Sequence, residues 1–277
     1  MPRIVDTTPT FDEFARDAFL ESPITREQQW KERYEGAYPE VFEAFYARQP
    51  EQKGRAALAR ELSRVRDRAQ QAGPLMAGII EEVEPSVREA LGVTDVAEPV
   101  HVLMIGPYSA NAVVGRLGDD VALFHCLEWF QSPDAAKVLV AHEDTHAWHE
   151  AVLGQPGPED DVAWTTFYEG LGVQASRTVV PDRPEDDYFW YGLAGFEDWL
   201  PWCREHRDDL VNQLRTSLDD PGAVDTLYGA GMVEGRWRVG FFLADLVVGG
   251  MGRTLPELVR MSVPEAQEAV RTALAPS

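Results

Sequence analysis

Residues 132–156 constrain the fold more than any other stretch, because they mark a helix at both ends and fix what one face of it carries. Ser132 can accept from the free N–H groups of a first turn, Pro133 suits a position that needs no N–H, and Asp134 favours the positive end of the helix dipole. Apolar residues recur at Ala135, Val138, Leu139, Ala141, Val152 and Leu153, and Gly154 with Pro156 supplies a stop. The spacing predicts a helix over 133–153. Inside it lies His142-Glu143-Asp144-Thr145-His146. Side chains four apart share a helix face, so His142 and His146 can aim both imidazoles at one zinc ion while Glu143 stands beside them.

A catalytic zinc site needs a third protein ligand and one open position. A third histidine, or an aspartate, six residues beyond the second would fall on Val152, which has no donor atom. His149 lies about 10 Å along the axis from His142, too far for both to reach one ion, which leaves it behind the ligands or at the surface. Glu169 is the better candidate, within Trp164-Thr-Thr-Phe-Tyr-Glu169-Gly-Leu-Gly172, a stretch that reads as a second, antiparallel helix after the loop at 154–161. Glu159, Asp160 and Asp161 stay open as alternatives, although acidic residues in a Pro/Gly loop are usually solvated.

His142-Glu-Asp-Thr-His146 followed by Glu169-Gly170-Leu171 resembles the gluzincin arrangement of zinc metallopeptidases, in which a glutamate on the next helix completes the site. Within that group the chain is similar to DUF2268, a family of predicted zinc-dependent proteases, over roughly residues 100–260. The similarity takes in Val102 to Gly106, Ser109-Ala-Asn-Ala112, Gly235-Arg-Trp-Arg-Val-Gly240 and Leu255-Pro-Glu-Leu258. Two positions depart from it. Trp237 stands where a tyrosine is expected, and Gly172 where some gluzincins place an aspartate that orients a zinc histidine. The resemblance implies a zincin-like fold, one Zn2+ per chain, and a peptide or protein substrate. It also implies that the strand before the metal helix, Val121 to Phe124, is a sheet edge able to pair with extended peptide, whereas the residues themselves fit a plain core strand equally well.

The implied chemistry is metal-assisted hydrolysis, with Glu143 taking a proton from water and returning it to the leaving amine. A donor for the oxyanion is also required. Tyr228, Tyr191, Tyr188, His206 and Arg236 are eligible by chemistry; the resemblance ranks Tyr228 and His206 first, because they lie C-terminal to the ligands where comparable donors sit in the resembling enzymes. A zinc hydrolase of a non-peptide amide fits the same residues, as does a non-catalytic metal-binding or scaffold protein. Two histidines and one glutamate leave a ligand position vacant, which favours catalysis.

The 277 residues, 44% of them hydrophobic, can bury a substantial core. The net charge of −22 disfavours nucleic acid and anionic membranes and can steer cationic substrates. Cys126 and Cys203 lack ligand spacing and read as reduced thiols; no signal region or apolar span is evident, so a soluble cytoplasmic protein is expected. Composition sets no oligomeric state.

The fold class read from these patterns is α+β, mainly α-helical. Residues 1–96 form a helical N-terminal lobe, 97–180 a core with a small mixed sheet and the two metal-bearing helices, and 181–277 a helical C-terminal part closing the cleft. Capping boxes at Thr10/Glu13 and Thr25/Gln28 predict helices over roughly 11–20 and 26–35. Further helices are expected over roughly 39–48, 52–72, 76–91 and 231–248. Tyr188 to Tyr191, Trp199 and Trp202 are assigned to buried core. His101 and His125 are assigned to packing or surface.

Overall fold

The computed structural model describes residues 2–49 and 54–275. In chain order, β1 (Arg3–Asp6), α1 (Thr8–Asp17), α2 (Pro23–Gln29), α3 (Pro39–Arg48), α4 (Gly54–Arg60) and α5 (Leu62–Leu91) precede the strands β2 (Val100–Met104), β3 (Ala112–Leu117) and β4 (Asp120–Cys126). Then come α6 (Pro133–Leu153), α7 (Val162–Val179), α8 (Asp187–Trp190), α9 (Trp199–Glu205), α10 (Arg207–Ser217) and α11 (Gly222–Tyr228). A hairpin of β5 (Met232–Val233) and β6 (Arg236–Trp237) leads into α12 (Val239–Gly249), α13 (Leu255–Leu258) and α14 (Val263–Ala273). The class is α+β, mainly helical with a small mixed sheet. Among the described residues no helix is long and apolar enough to cross a membrane.

Contacts divide the chain into two compact units, Met1–Glu84 with Ala97–Glu143, and Pro85–Val96 with Asp144–Ser277. This differs from the three parts expected. The cause in the first unit is β1, which pairs in parallel with β2 and so joins the N-terminal helices to the sheet. In the second, α7 packs on the C-terminal helices: a Cβ on Gly170 would lie 2.5 Å from the Ala244 carbonyl oxygen of α12.

The strand order in the first unit is β1-β2-β4-β3, with β2 parallel to β4 and β3 antiparallel to it. Gly118-Asp119 makes the two-residue turn between β3 and β4, Gly118 at φ 63°. β4 is thus an interior strand, which corrects the expectation that Val121 to Phe124 forms an edge: β2 and β3 already take its hydrogen-bonding groups. The edges are β1 and β3, and at β3 Arg48 of α3 donates to the Val114 carbonyl at 3.1 Å. Below the sheet, Phe11, Phe14, Trp30, Tyr34 and Phe42 pack edge to face, and Phe45 meets Phe124. Tyr34 accepts from the Ile105 N–H and shares a hydrogen bond with Thr7, which ties these helices to the end of β2.

Several helix boundaries moved. Asp6 accepts from Thr8 N–H and hydroxyl, so α1 starts before Thr10, whose hydroxyl pairs with Tyr38. Ser22 rather than Thr25 caps α2, and residues 30–34 continue as one π-helical turn. The helices expected over 52–72 and 76–91 are a short α4 and one continuous 30-residue α5; positions 52 and 53 lie outside the described residues. Pro74 and Pro85 both sit inside α5, and each costs about 3 kcal/mol. The buried series Ala69, Ala72, Met76, Ile79, Val83, Val87 and Leu91 passes through them, and each large aliphatic contributes about 1.5–3 kcal/mol, so burial wins. The stretch expected as helix from 231 instead forms the β5–β6 hairpin, with Glu234 at φ 48° and Gly235 at φ 78° in the left-handed region that a two-residue hairpin turn uses.

Candidate metal centre

α6 spans Pro133–Leu153 as the spacing predicted, and Ser132 Oγ accepts from the Ala135 N–H at 3.2 Å. α7 is capped by Asp161, whose carboxylate accepts from Trp164 N–H at 2.7 Å and from Gln267 Nε2 at 2.8 Å. That commitment makes Asp161 a cap rather than a ligand, while Glu159 and Asp160 are exposed. The two helices bring His142, His146 and Glu169 together, with one ligand atom from each within 4.8 Å of the others. His146 Nε2 stands 3.6 Å from Glu169 Oε2. Two ligands about 2.1 Å from a tetrahedral ion are separated by about 3.4 Å, so this pair is already at metal-binding spacing. His142 and His146 are buried, and Glu169 is mostly so. The donor set of two imidazoles and a carboxylate fits zinc with a position left for water.

Glu143, half-buried, follows His142 on α6. Its charge reaches Cys126 at the end of β4: burial, then Glu128, then Glu143 push that thiol well above its ordinary value. Cys126 and Cys203 are both free and buried. Burial raises the fully enclosed Glu128 carboxyl to about 8. That carboxyl accepts from the Gly106 and Tyr108 N–H groups at 2.9 and 3.1 Å, which holds the turn after β2.

Sequence reasoning did not single out Tyr168. Its ring lies flat on the His146 imidazole, centroids 3.7 Å apart and 6° from parallel, and its hydroxyl donates to Glu150 at 3.3 Å. The available signal was its place beside Glu169. His149 is fully buried among Trp164, Phe167 and Tyr168, not at the surface, and burial lowers it to about 4.

The donor candidates separate. Tyr228 closes α11 with its hydroxyl 2.7 Å from Thr166 Oγ1, one turn before Glu169 on α7. Because Thr166 gives its own proton to the Val162 carbonyl at 2.7 Å, Tyr228 is the donor of that pair. Burial pushes its phenol up, and the charge of Glu169 adds to this against a lowering by the Thr166 hydrogen bond. A Cβ at Gly240 would meet the Tyr228 ring at 2.5 Å, so glycine is what lets α12 approach it. The structure does not bring His206 to the trio: its ring stacks on Trp202 and its Nδ1 is 2.9 Å from the Trp202 carbonyl. Arg236 pairs with Asp198 at 2.8 Å, and Tyr188 donates to the Val180 carbonyl. Tyr188, Phe189, Trp190, Tyr191 and Trp199 are buried core, as expected, whereas Trp202 is only partly buried, and His101 and His125 stack inside the sheet unit. Trp237 lies on β6 and is 44% exposed.

No family model matches the chain, and no curated protein or solved structure gives a significant match.

Proposed function

We propose that the chain is a zinc-dependent hydrolase, most simply a metallopeptidase of zincin-like fold related to the gluzincins and to DUF2268. The observation that carries this reading is the convergence of His142, His146 and Glu169, three donors from two helices, beside Glu143. Zinc bound there supplies Lewis acidity, acidifying a water and polarising the scissile carbonyl. His142, His146 and Glu169 hold the ion. Glu143 takes the proton from the attacking water on one carboxylate oxygen and hands it to the leaving amine. Tyr228 donates to the developing oxyanion once its hydroxyl turns from Thr166.

Peptide or protein is the substrate class this reading favours, and the net charge of −22 supports cationic sequences over nucleic acid or anionic lipid. One observation favours a non-peptide amide as second reading: β4 is paired on both sides and offers no edge to an extended peptide. A mixed peptide library incubated with the zinc-loaded chain and with Glu143→Gln separates the readings. Cleavage by the first alone is expected. Intact peptides in both would move the proposal to the non-peptide amide, and equal cleavage in both would remove Glu143 as the base.

A further inference from the structure

Farther along α7, beyond Glu169, a cavity of about 540 Å³ opens between α7, α9, α10 and α12. That volume falls within the usual size of small-molecule sites. Its floor is apolar, formed by Phe189, Leu200 and Phe242, all nearly fully buried. Three guanidiniums border it, from Arg177, Arg204 and Arg207, against two carboxylates, Glu185 and Asp245. A local excess of positive charge on a chain of net charge −22 is the reverse of what the composition would distribute at random.

The three arginines are held differently. Arg177 donates to Asp245 through Nε at 3.3 Å and Nη2 at 3.0 Å, and its guanidinium lies over the Tyr188 ring at 4.5 Å. Gln174 also donates to Asp245 at 2.6 Å, so both oxygens of that carboxylate are engaged within the wall. Asp245 uses two of the donor N–H groups on Arg177, leaving three of its five for another acceptor. Arg204 pairs with Glu185. The exposed side chain of Arg207, the first residue of α10, makes no ion pair or hydrogen bond among the described residues. Two neutralised arginines and one uncommitted one around an apolar floor fit an oxyanion head with a short apolar tail.

We propose that this cavity binds a small amphiphilic anion, a carboxylate or phosphate monoester carrying a short alkyl chain, at a site separate from the metal centre. The head meets Arg207 and the free N–H groups of Arg177, and the tail lies on Phe189, Leu200 and Phe242.

Calorimetric titration of the full-length chain tests it, with hexanoate and butyl phosphate as probes and acetate and inorganic phosphate as their tailless counterparts. At least one tailed anion should bind more than about tenfold tighter than its tailless counterpart, since each buried methylene adds to affinity. Whichever tailed probe binds tighter identifies the head. Arg207→Ala should weaken that binding about tenfold, while Arg215→Ala, an exposed arginine elsewhere on α10, should leave it unchanged. Binding indifferent to the tail would overturn the proposal. So would binding indifferent to Arg207→Ala, which is the result expected if the anions were captured at the metal centre, and so would no binding at all.

Discussion

Gly170 has no room for a side chain: a Cβ there would lie 2.4 Å from Val248 Cγ2 and 2.5 Å from the Ala244 carbonyl oxygen. The methyl can be relieved on one side by a valine rotamer but not on the other, where it meets helix backbone. Gly170→Ala should cost about 1–3 kcal/mol of stability in chemical denaturation, and an unchanged midpoint would contradict this close approach of α7 and α12. Glu128 gives a second residue-scale test. Burial holds its carboxyl at about 8 rather than 4.5, so between those values the folded chain keeps a proton that the unfolded chain has released. Its contribution to stability is therefore complete below the ordinary carboxylate range and is lost as pH rises through about 8. Wild type should lose stability between about pH 5 and 8 relative to Glu128→Gln, which cannot ionise. Parallel pH profiles for the two would show that burial does not hold that proton.

At the scale of elements, α6 matters because it presents His142, Glu143 and His146, and its start depends on one hydroxyl. Ser132→Ala should lower stability by about 1 kcal/mol, with the thermal midpoint as the readout; no change would mean that Pro133 and Asp134 suffice to start the helix. α6 and α7 were legible in the sequence because their signals are local: a cap, a stop and a period. The placement of Glu169 near His146 was legible for the same reason, since a short loop returns the chain antiparallel. Elsewhere distant contacts decide. β1 has only four residues and exists because Arg3 to Asp6 find partners at Val100 to Leu103. α5 runs through Pro74 and Pro85 because its buried face outweighs the two missing hydrogen bonds. Glu234, a residue that rarely adopts positive φ, completes the β5–β6 turn beside Gly235, and no local rule signals it. The edge role expected for β4 failed through topology, since nothing in Val121 to Phe124 itself announces that β3 folds back outside it.

The whole molecule carries 47 acidic against 25 basic residues, a field that acts on anything approaching it. If the substrate is a cationic peptide, kcat/KM should fall several-fold as ionic strength rises from about 0.01 to 0.15 M, because the screening length shrinks from about 30 to 8 Å. A rate insensitive to salt would separate this charge from substrate capture and leave it to solubility. The metal centre itself depends less on that field than on three buried or mostly buried donors from two helices. Zinc affinity is therefore the most direct measure of the account. Titrated against a competing chelator, wild type and Glu143→Gln should each bind one zinc with closely similar affinity, and Glu169→Ala should bind it at least about tenfold more weakly. Equal affinity in wild type and Glu169→Ala, or no stoichiometric zinc in wild type, would contradict the site.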